Sequence, residues 1–247
     1  MENFQKVDSF QFEVDKTTVD KLHRMRPSAL CNMMLACAGR HADARGFGAT
    51  RKLGWVMARM VLDIKNIPLG GQKFTIETFI KNAYRGFTDR CIRVVDEEGN
   101  EVASILATFA LMNLKTRSSV DLNGDIGLRL TECMEPDEQI SIRRIPSINR
   151  LPVADVSFKR RPHYSDIDIN GHMNSIRYID HILDSISIEY INSHDITDIV
   201  VAYMQEGSAT EELSYSIKEL SPDRYIAQVT KENGIPASRF ELKFKTR

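Results

Sequence analysis

The same order of elements can be read twice along these 247 residues, and that repetition constrains the fold more than any single motif. In the first half, Leu30, Met33, Met34, Cys37 and His41 share one face of a helix predicted from Met25 to Ala44. It starts at Pro27-Ser28 and ends at the GFG of 46–48. A strand follows in GWVMARMVLDI, where Val56, Ala58, Met60, Leu62 and Ile64 alternate with Met57, Arg59, Val61 and Asp63. KFTIETFI, DRCIRVV and ASILATFALMNL are three more β-rich runs, with Glu98-Gly99-Asn100 as the turn between the last two. In the second half, Ile176, Ile179, Ile182, Leu183, Ile186 and Tyr190 stripe one helix from about Asn174 to Ile191. DIVVAYMQ, ELSYSIKEL, RYIAQVT and SRFELKFK then read as strands, with Glu232-Asn233-Gly234 as the last turn.

Residues recur as well as order. With Asp89-Arg90 set against Asp223-Arg224, an offset of 134, Ile92 meets Ile226, Val95 meets Val229, Glu98 meets Glu232, and Ala103-Ser104 meets Ala237-Ser238. The chain is therefore read as α+β, two units in which an antiparallel sheet wraps one long helix. The units are expected at 1–130 and 156–247, with 131–155, holding Pro136, Pro146 and Pro152, as a linker.

Composition excludes several classes. Apolar residues are 42%, charged residues 27% and the net charge is -1, so a packed core is expected and binding of nucleic acid by global charge is not. No apolar stretch approaches the roughly 18 residues of a membrane helix, and MENFQKVDSF has the features of neither a signal nor a transit peptide. Cys31, Cys37, Cys91 and Cys133 are scattered, with no CxxC pair and no histidine at ligand spacing. Free thiols in the cytoplasm, without metal or cofactor, are the expectation.

One segment does not read as scaffold. HYSDIDINGHMNSIRYIDH, 163–181, crowds polar and titratable groups ahead of and into the second helix, whose free N–H groups could face developing negative charge. Asp166-x-Asp168-x-Asn170-Gly171 matches the start of a calcium loop, but the twelfth position is Arg177 where a bidentate Glu is required, and no helix precedes it. Asp168, Asn170 and His172 are either functional groups or helix-capping turn formers, Asn174 being a plausible N-cap. Glu206, after DIVVAYMQ and before Gly207, is either a desolvated carboxylate or the first exposed residue past a strand.

GWVMARMVLDI, ATFALMNLKTRS and above all DIDINGHMNSIRYIDHILDS are similar to the characteristic segments of the acyl-acyl carrier protein (acyl-ACP) thioesterases of plant plastids and bacteria. The resemblance covers nearly the whole chain. It implies a tandem hotdog fold and a catalytic set on Asp168, Asn170, His172 and Glu206. It also implies an acyl tunnel made largely by the N-terminal unit, for which Trp55, Met33 and Met57 are candidates, with Met34 and Met60 beside them. The plant enzymes carry a cysteine after the glutamate, where this chain has Gly207, and a plastid-targeting extension. A bacterial-type member is therefore the expectation.

The chemistry follows from that set. With no Gly-x-Ser-x-Gly elbow, and with Cys31, Cys37 and Cys91 in predicted core elements, Glu206 is expected to activate water or to attack directly. Asn170 would hold the oxyanion, His172 would orient the reacting group or protonate the thiol, and Asp168 would fix the local geometry. The implied partner is acyl carrier protein bearing a fatty-acyl phosphopantetheine. Lys159-Arg160-Arg161, Arg143-Arg144 and Lys115/Arg117 are candidate docking clusters, and a homodimer stays open. The competing functions are an acyl-CoA thioesterase or a dehydratase of the same fold, and a non-catalytic acyl-binding module.

Overall fold

The computed structural model describes residues 6–136, 140–142 and 144–247. Two compact units divide the chain between Ile145 and Pro146, inside the stretch predicted as a linker. Unit 1 contains β1 (Asp8–Glu13), α1 (Pro27–Ala44), β2 (Leu53–Ile64), β3 (Lys73–Tyr84), β4 (Phe87–Val95), β5 (Glu101–Asn113) and α2 (Asp125–Glu132). Its strands pair antiparallel in the order β1-β3-β4-β5-β2. Unit 2 contains β6 (Val156–Arg160), α3 (Arg177–Leu183), α4 (Ile188–Ser193), β7 (His194–Tyr203), β8 (Leu213–Ser221), β9 (Arg224–Thr230) and β10 (Pro236–Thr246). Its order is β6-β8-β9-β10-β7, again antiparallel, so each unit has one connectivity in common with the other.

Local chemistry accounts for α1. Pro27 opens it with a fixed φ and no N–H to waste. Gly46, at φ +69°, lets the chain leave after Ala44. Leu30, Cys31, Met34, Cys37, Ala38 and His41 are buried, and the helix packs on β3 and β4. Each fully buried Leu or Met contributes roughly 1.5–3 kcal/mol. Met33 sits beside this stripe, half-buried, where Cys31 takes the place expected of it.

The sequence expectations need four corrections. The second helix is not one long rod: α3 and α4 are separated at Asp184–Ser187. Ser185 Oγ donates to the Ile182 carbonyl (2.6 Å) and Ser187 Oγ accepts from Tyr190 N–H (3.2 Å), so two serines take backbone groups that a continuous helix would use. In β2 the pairing with β5 slips between Met57 and Arg59. That bulge at Ala58 puts Met57 in phase with buried Met60, Leu62 and Ile64, and strict alternation fails. The repeat offset of the hairpins is 135. Gly99 N–H donates to Asp96 O as Gly234 N–H donates to Lys231 O, and Val94 pairs with Ala103 as Val229 pairs with Ser238. The residue matches at 134 are thus one position out, and a one-residue slip turns each side chain to the other face. Finally, α2 was not anticipated. Its eight residues bury only Leu130, which joins Ala42, Phe47, Ile80 and Cys133, with Trp55 packed alongside.

Unit 1 also buries a charged cluster. Arg45 forms a two-pronged pair with Asp8, and Arg90 donates to His41 Nδ1 (3.1 Å) and Thr78 Oγ1 (3.3 Å). Because Nδ1 accepts there, Nε2 carries the ring proton and donates to the Lys6 carbonyl (3.1 Å). Burial, then Arg90 and Arg45, push the His41 pKa down to about 4. Among the described residues no helix is long and apolar enough to cross a membrane.

A histidine that resists protonation until about pH 4 in the fold, but protonates near 6.5 when unfolded, favours the unfolded state as pH falls between those values. Folding free energy should drop by roughly 3 kcal/mol over that window through this residue. Denaturant titrations at pH 7, 5.5 and 4.5 should show a shallower loss for His41→Gln than for the parent. Parallel profiles would remove His41 as the cause.

Candidate active site

The unit 2 site is assembled from a turn and a strand exit that cross. After β6 the chain makes a short 3-10 turn, Tyr164–Asp166, and then a hook in which Asp168 gathers its own backbone. Asp168 Oδ1 accepts from the N–H of Asn170 (2.9 Å) and of His172 (3.0 Å), while Asp168 N–H donates to the His172 carbonyl (2.9 Å). Gly171, at φ +77°, supplies the left-handed corner. The hook is then stitched to the segment after β7: His172 bridges Ser208, and Met173 N–H donates to the Gly207 carbonyl (2.9 Å).

That stitch brings His172 and Glu206 together. Nδ1 of His172 lies 3.6 Å from Oε2 of Glu206, near enough for charge coupling but beyond a hydrogen bond, and each side chain is about one-third exposed. Glu206 lies three residues past the end of β7. Its carbonyl accepts from Lys231 Nζ (2.8 Å), and Lys231 also pairs with Glu211 (3.3 Å), so a cation no sequence pattern flagged fixes the backbone at this point. Asn170 stands exposed at the hook's tip, its amide within 3.4 Å of Asp168 Oδ2.

Behind the hook lies a buried network that the sequence reading also missed. Asp166 accepts from His163 N–H (2.8 Å) and Arg177 Nε (3.2 Å), and its Oδ1 lies 3.2 Å from His181 Nε2. His181 Nδ1 in turn lies 2.7 Å from the Tyr215 hydroxyl. Burial alone would raise the Asp166 pKa, but the His163 N–H, His181 and Arg177 together hold it below the usual carboxylate value. Both Asp166 oxygens are thus committed to these donors. The start of α3 is likewise occupied: Asn174 Oδ1 accepts from Ile176 N–H (2.8 Å) and its carbonyl from Arg177 N–H (3.1 Å). The helix therefore does not present those amides to a substrate, contrary to expectation.

Unit 1 contains the same hook with other side chains on it. Asp20 Oδ1 accepts from the N–H of Leu22 (2.8 Å) and Arg24 (3.0 Å), and Asp20 N–H donates to the Arg24 carbonyl (2.8 Å). Arg24 bridges Leu69, and Met25 N–H donates to Pro68 O (2.9 Å). By these bonds Asp20 corresponds to Asp168, Leu22 to Asn170, Arg24 to His172 and Ile67 to Glu206. The aspartate alone persists, which identifies Asp168 as the former of the turn.

The remaining candidates lie in unit 1 or on the surface. Trp55 spends its indole N–H on the Phe47 carbonyl (2.8 Å), Met57 is buried and Met33 half-buried. All four cysteines are buried and unbridged, and burial pushes the Cys37 thiol up to about 11 and that of Cys91 to about 12. Lys159 pairs with Glu212 (3.1 Å) and Arg160 reaches Asp184 (3.8 Å). Arg161, Arg144, Lys115 and Arg117 are exposed, and Arg143 lies outside the described residues.

Models of the acyl-ACP thioesterase N-terminal and C-terminal domains match residues 5–129 and 153–243. The chain belongs to the acyl-ACP thioesterase family. A crystal structure of an acyl-ACP thioesterase from Bacteroides thetaiotaomicron is 32% identical to this family member. The match covers 99% of this chain and 100% of that one, with a TM-score of 0.87. The 12:0-ACP thioesterase of Umbellularia californica shares the fold at a TM-score of 0.90, with 19% identity and 99% of each chain covered. An oleoyl-acyl carrier protein thioesterase of Arabidopsis thaliana chloroplasts is 25% identical over 94% of this chain, which spans 66% of that relative's length.

If each aspartate holds its hook, Asp20→Ala and Asp168→Ala should both lower unfolding free energy, by about 1 kcal/mol apiece, in urea titrations. A loss at neither position would show that other contacts hold the turns.

Proposed function

We propose that this chain hydrolyses the thioester of fatty acyl-ACP to free fatty acid and holo-ACP, acting as a tandem hotdog enzyme. Family membership supports the substrate class, and one observation carries the site: an imidazole on the hook that also presents Asn170, His172, faces a carboxylate past the end of β7, Glu206, across 3.6 Å. In this reading unit 2 performs the chemistry and unit 1 receives the acyl chain, with Trp55, Met33 and Met57 among its lining residues. The cytoplasm and an acidic carrier protein docking on basic surface residues belong to the same proposal.

The reaction needs a base, an oxyanion donor and a proton for the departing thiol. Glu206 takes a proton from water as that water attacks the thioester carbonyl. The Asn170 amide, exposed and only loosely tied, donates to the oxyanion. His172 orients the attacking water or protonates the leaving sulfur. Asp168 acts through the backbone, holding Asn170 and His172 at their places. Gly207 removes a thiol from the position after the glutamate, so carboxylate and water chemistry is left.

Thiol release from an acyl-ACP chain-length series, with acyl-CoA of equal length alongside, tests the activity. Asn170→Ala should lose roughly a hundredfold to a thousandfold in kcat. Glu206→Ala should lose at least as much, whereas Asp20→Ala keeps near-parental turnover. Normal kcat in folded Glu206→Ala and Asn170→Ala would overturn the assignment, and faster acyl-CoA hydrolysis would overturn the substrate class.

A further inference from the structure

The hook of unit 2 holds two apolar side chains out in solvent that the fold does not use. Tyr164, the first residue of the 3-10 turn, is 99% exposed, and Ile169, between Asp168 and Asn170, is fully exposed. A lone exposed apolar residue is ordinary on any protein surface. A phenol ring and a branched alkyl group standing out together on one short turn are not, because they enlarge the apolar surface in water and gain no packing in return.

Unit 1 supplies the control. Its own 3-10 turn, Lys16–Thr18, leads into the Asp20 hook through matching bonds. Thr18 N–H donates to the Asp15 carbonyl (3.0 Å) as Asp166 N–H donates to that of His163 (2.9 Å). Arg26 N–H donates to the Thr18 carbonyl (2.9 Å) as Asn174 N–H donates to that of Asp166 (2.7 Å). In that frame Lys16 stands where Tyr164 does and Lys21 where Ile169 does, and both lysines are exposed. The turn therefore forms with charged groups at these positions, and the apolar pair belongs to the hook that displays Asn170 and His172. Ahead of the turn, exposed Glu13 and Asp15 in unit 1 correspond to exposed Arg161 and His163 in unit 2. The approach to the unit 2 hook thus lacks two carboxylates and carries a guanidinium.

The open side of the site lies here as well: His172 and Glu206 are each about one-third exposed, and Asn170 is exposed at the tip. We propose that Tyr164 and Ile169 form the apolar contact on which the acyl carrier protein docks, with Arg161 set against its acidic surface. The inference rests on the function proposed above and names the surface that recognises its protein partner. A thioester tethered to the carrier reaches Asn170 and Glu206 from solvent, which brings the carrier close to Ile169. Tyrosine is a common interface anchor, since its ring gives a large contact area at little entropic cost, and cations beside it steer an acidic partner. A second copy of this chain seated on the same residues would cover the opening beside Asn170 and shut substrate out, whereas a carrier delivers substrate through it.

The test uses Tyr164→Gln, Ile169→Gln and the double variant in the full chain. Each is assayed with acyl-ACP, and with acyl-CoA of the same acyl group as substrate or competitor, which has the phosphopantetheine arm without the carrier. Each single variant should raise KM for acyl-ACP by roughly tenfold with kcat changed less than about twofold, the pattern of lost binding rather than lost chemistry. The constant for acyl-CoA should stay within about twofold of the parental value. Urea midpoints should not move, since neither side chain is packed. A parental KM for acyl-ACP in the double variant overturns the proposal. So does an equal rise for acyl-CoA, which assigns the contact to the arm. Self-association of the parent that the double variant abolishes in sedimentation velocity overturns it too, because the occupant is then a second copy. If the parent hydrolyses acyl-ACP and the variants match it, this inference alone fails. If the parent releases no thiol from acyl-ACP, the proposed function fails first.

Discussion

Everything at the unit 2 site depends on one carboxylate bonding to its own backbone. By accepting from the N–H groups of residues 170 and 172, Asp168 closes a hook that has no regular secondary structure to support it. The closed hook offers Met173 N–H to Gly207 and sets His172 against Ser208, and these bonds place Glu206 opposite the imidazole. Remove the first bonds and the later ones lose their register, because residues 169–172 are otherwise exposed or half-exposed and held by little packing.

Carrying the hook twice separates the turn from the groups it displays within one chain. In unit 1, Asp20 closes the same turn, yet Leu22, Arg24 and Ile67 occupy the places of Asn170, His172 and Glu206. Arg24 is instead bound back to Asp20, its guanidinium 2.6 Å from Oδ2. The scaffold is therefore indifferent to the groups it displays. A duplicated element can keep its fold-forming residue, since losing that would cost stability in either copy, while the displayed residues are free to diverge. The buried Asp166–His181–Tyr215 network occurs behind the unit 2 hook, where position 18 of unit 1 is only a threonine.

Legibility followed the range of the forces involved. Strands β3, β4, β8, β9 and β10 were readable because their alternation and turns are local, and α1 because proline and glycine bracket an apolar stripe. The break between α3 and α4 was not, since the isoleucine stripe runs on through Asp184–Ser187 and only the serines' hydrogen bonds stop the helix. The bulge in β2 was hidden for a similar reason: Met57 and Met60 are both apolar, so either phase gives a plausible strand. The repeat was legible as an order of elements, while its residue-level alignment at 134 was a coincidence that strand pairing corrects to 135.

By itself, the sequence determined the α+β class, the twofold order of helix and strands, and the segment around Asn170 and His172 where polar and titratable groups concentrate. Those are encoded by neighbours along the chain: periodicity, turn formers and an uninterrupted motif. Only the tertiary structure decided that Asp168 builds the hook while Glu206 faces the histidine. It alone joined Asp166, His181 and Tyr215, and held the Glu206 carbonyl with Lys231. Those pairings join residues 15 to 34 positions apart, and such contacts leave no trace in local pattern.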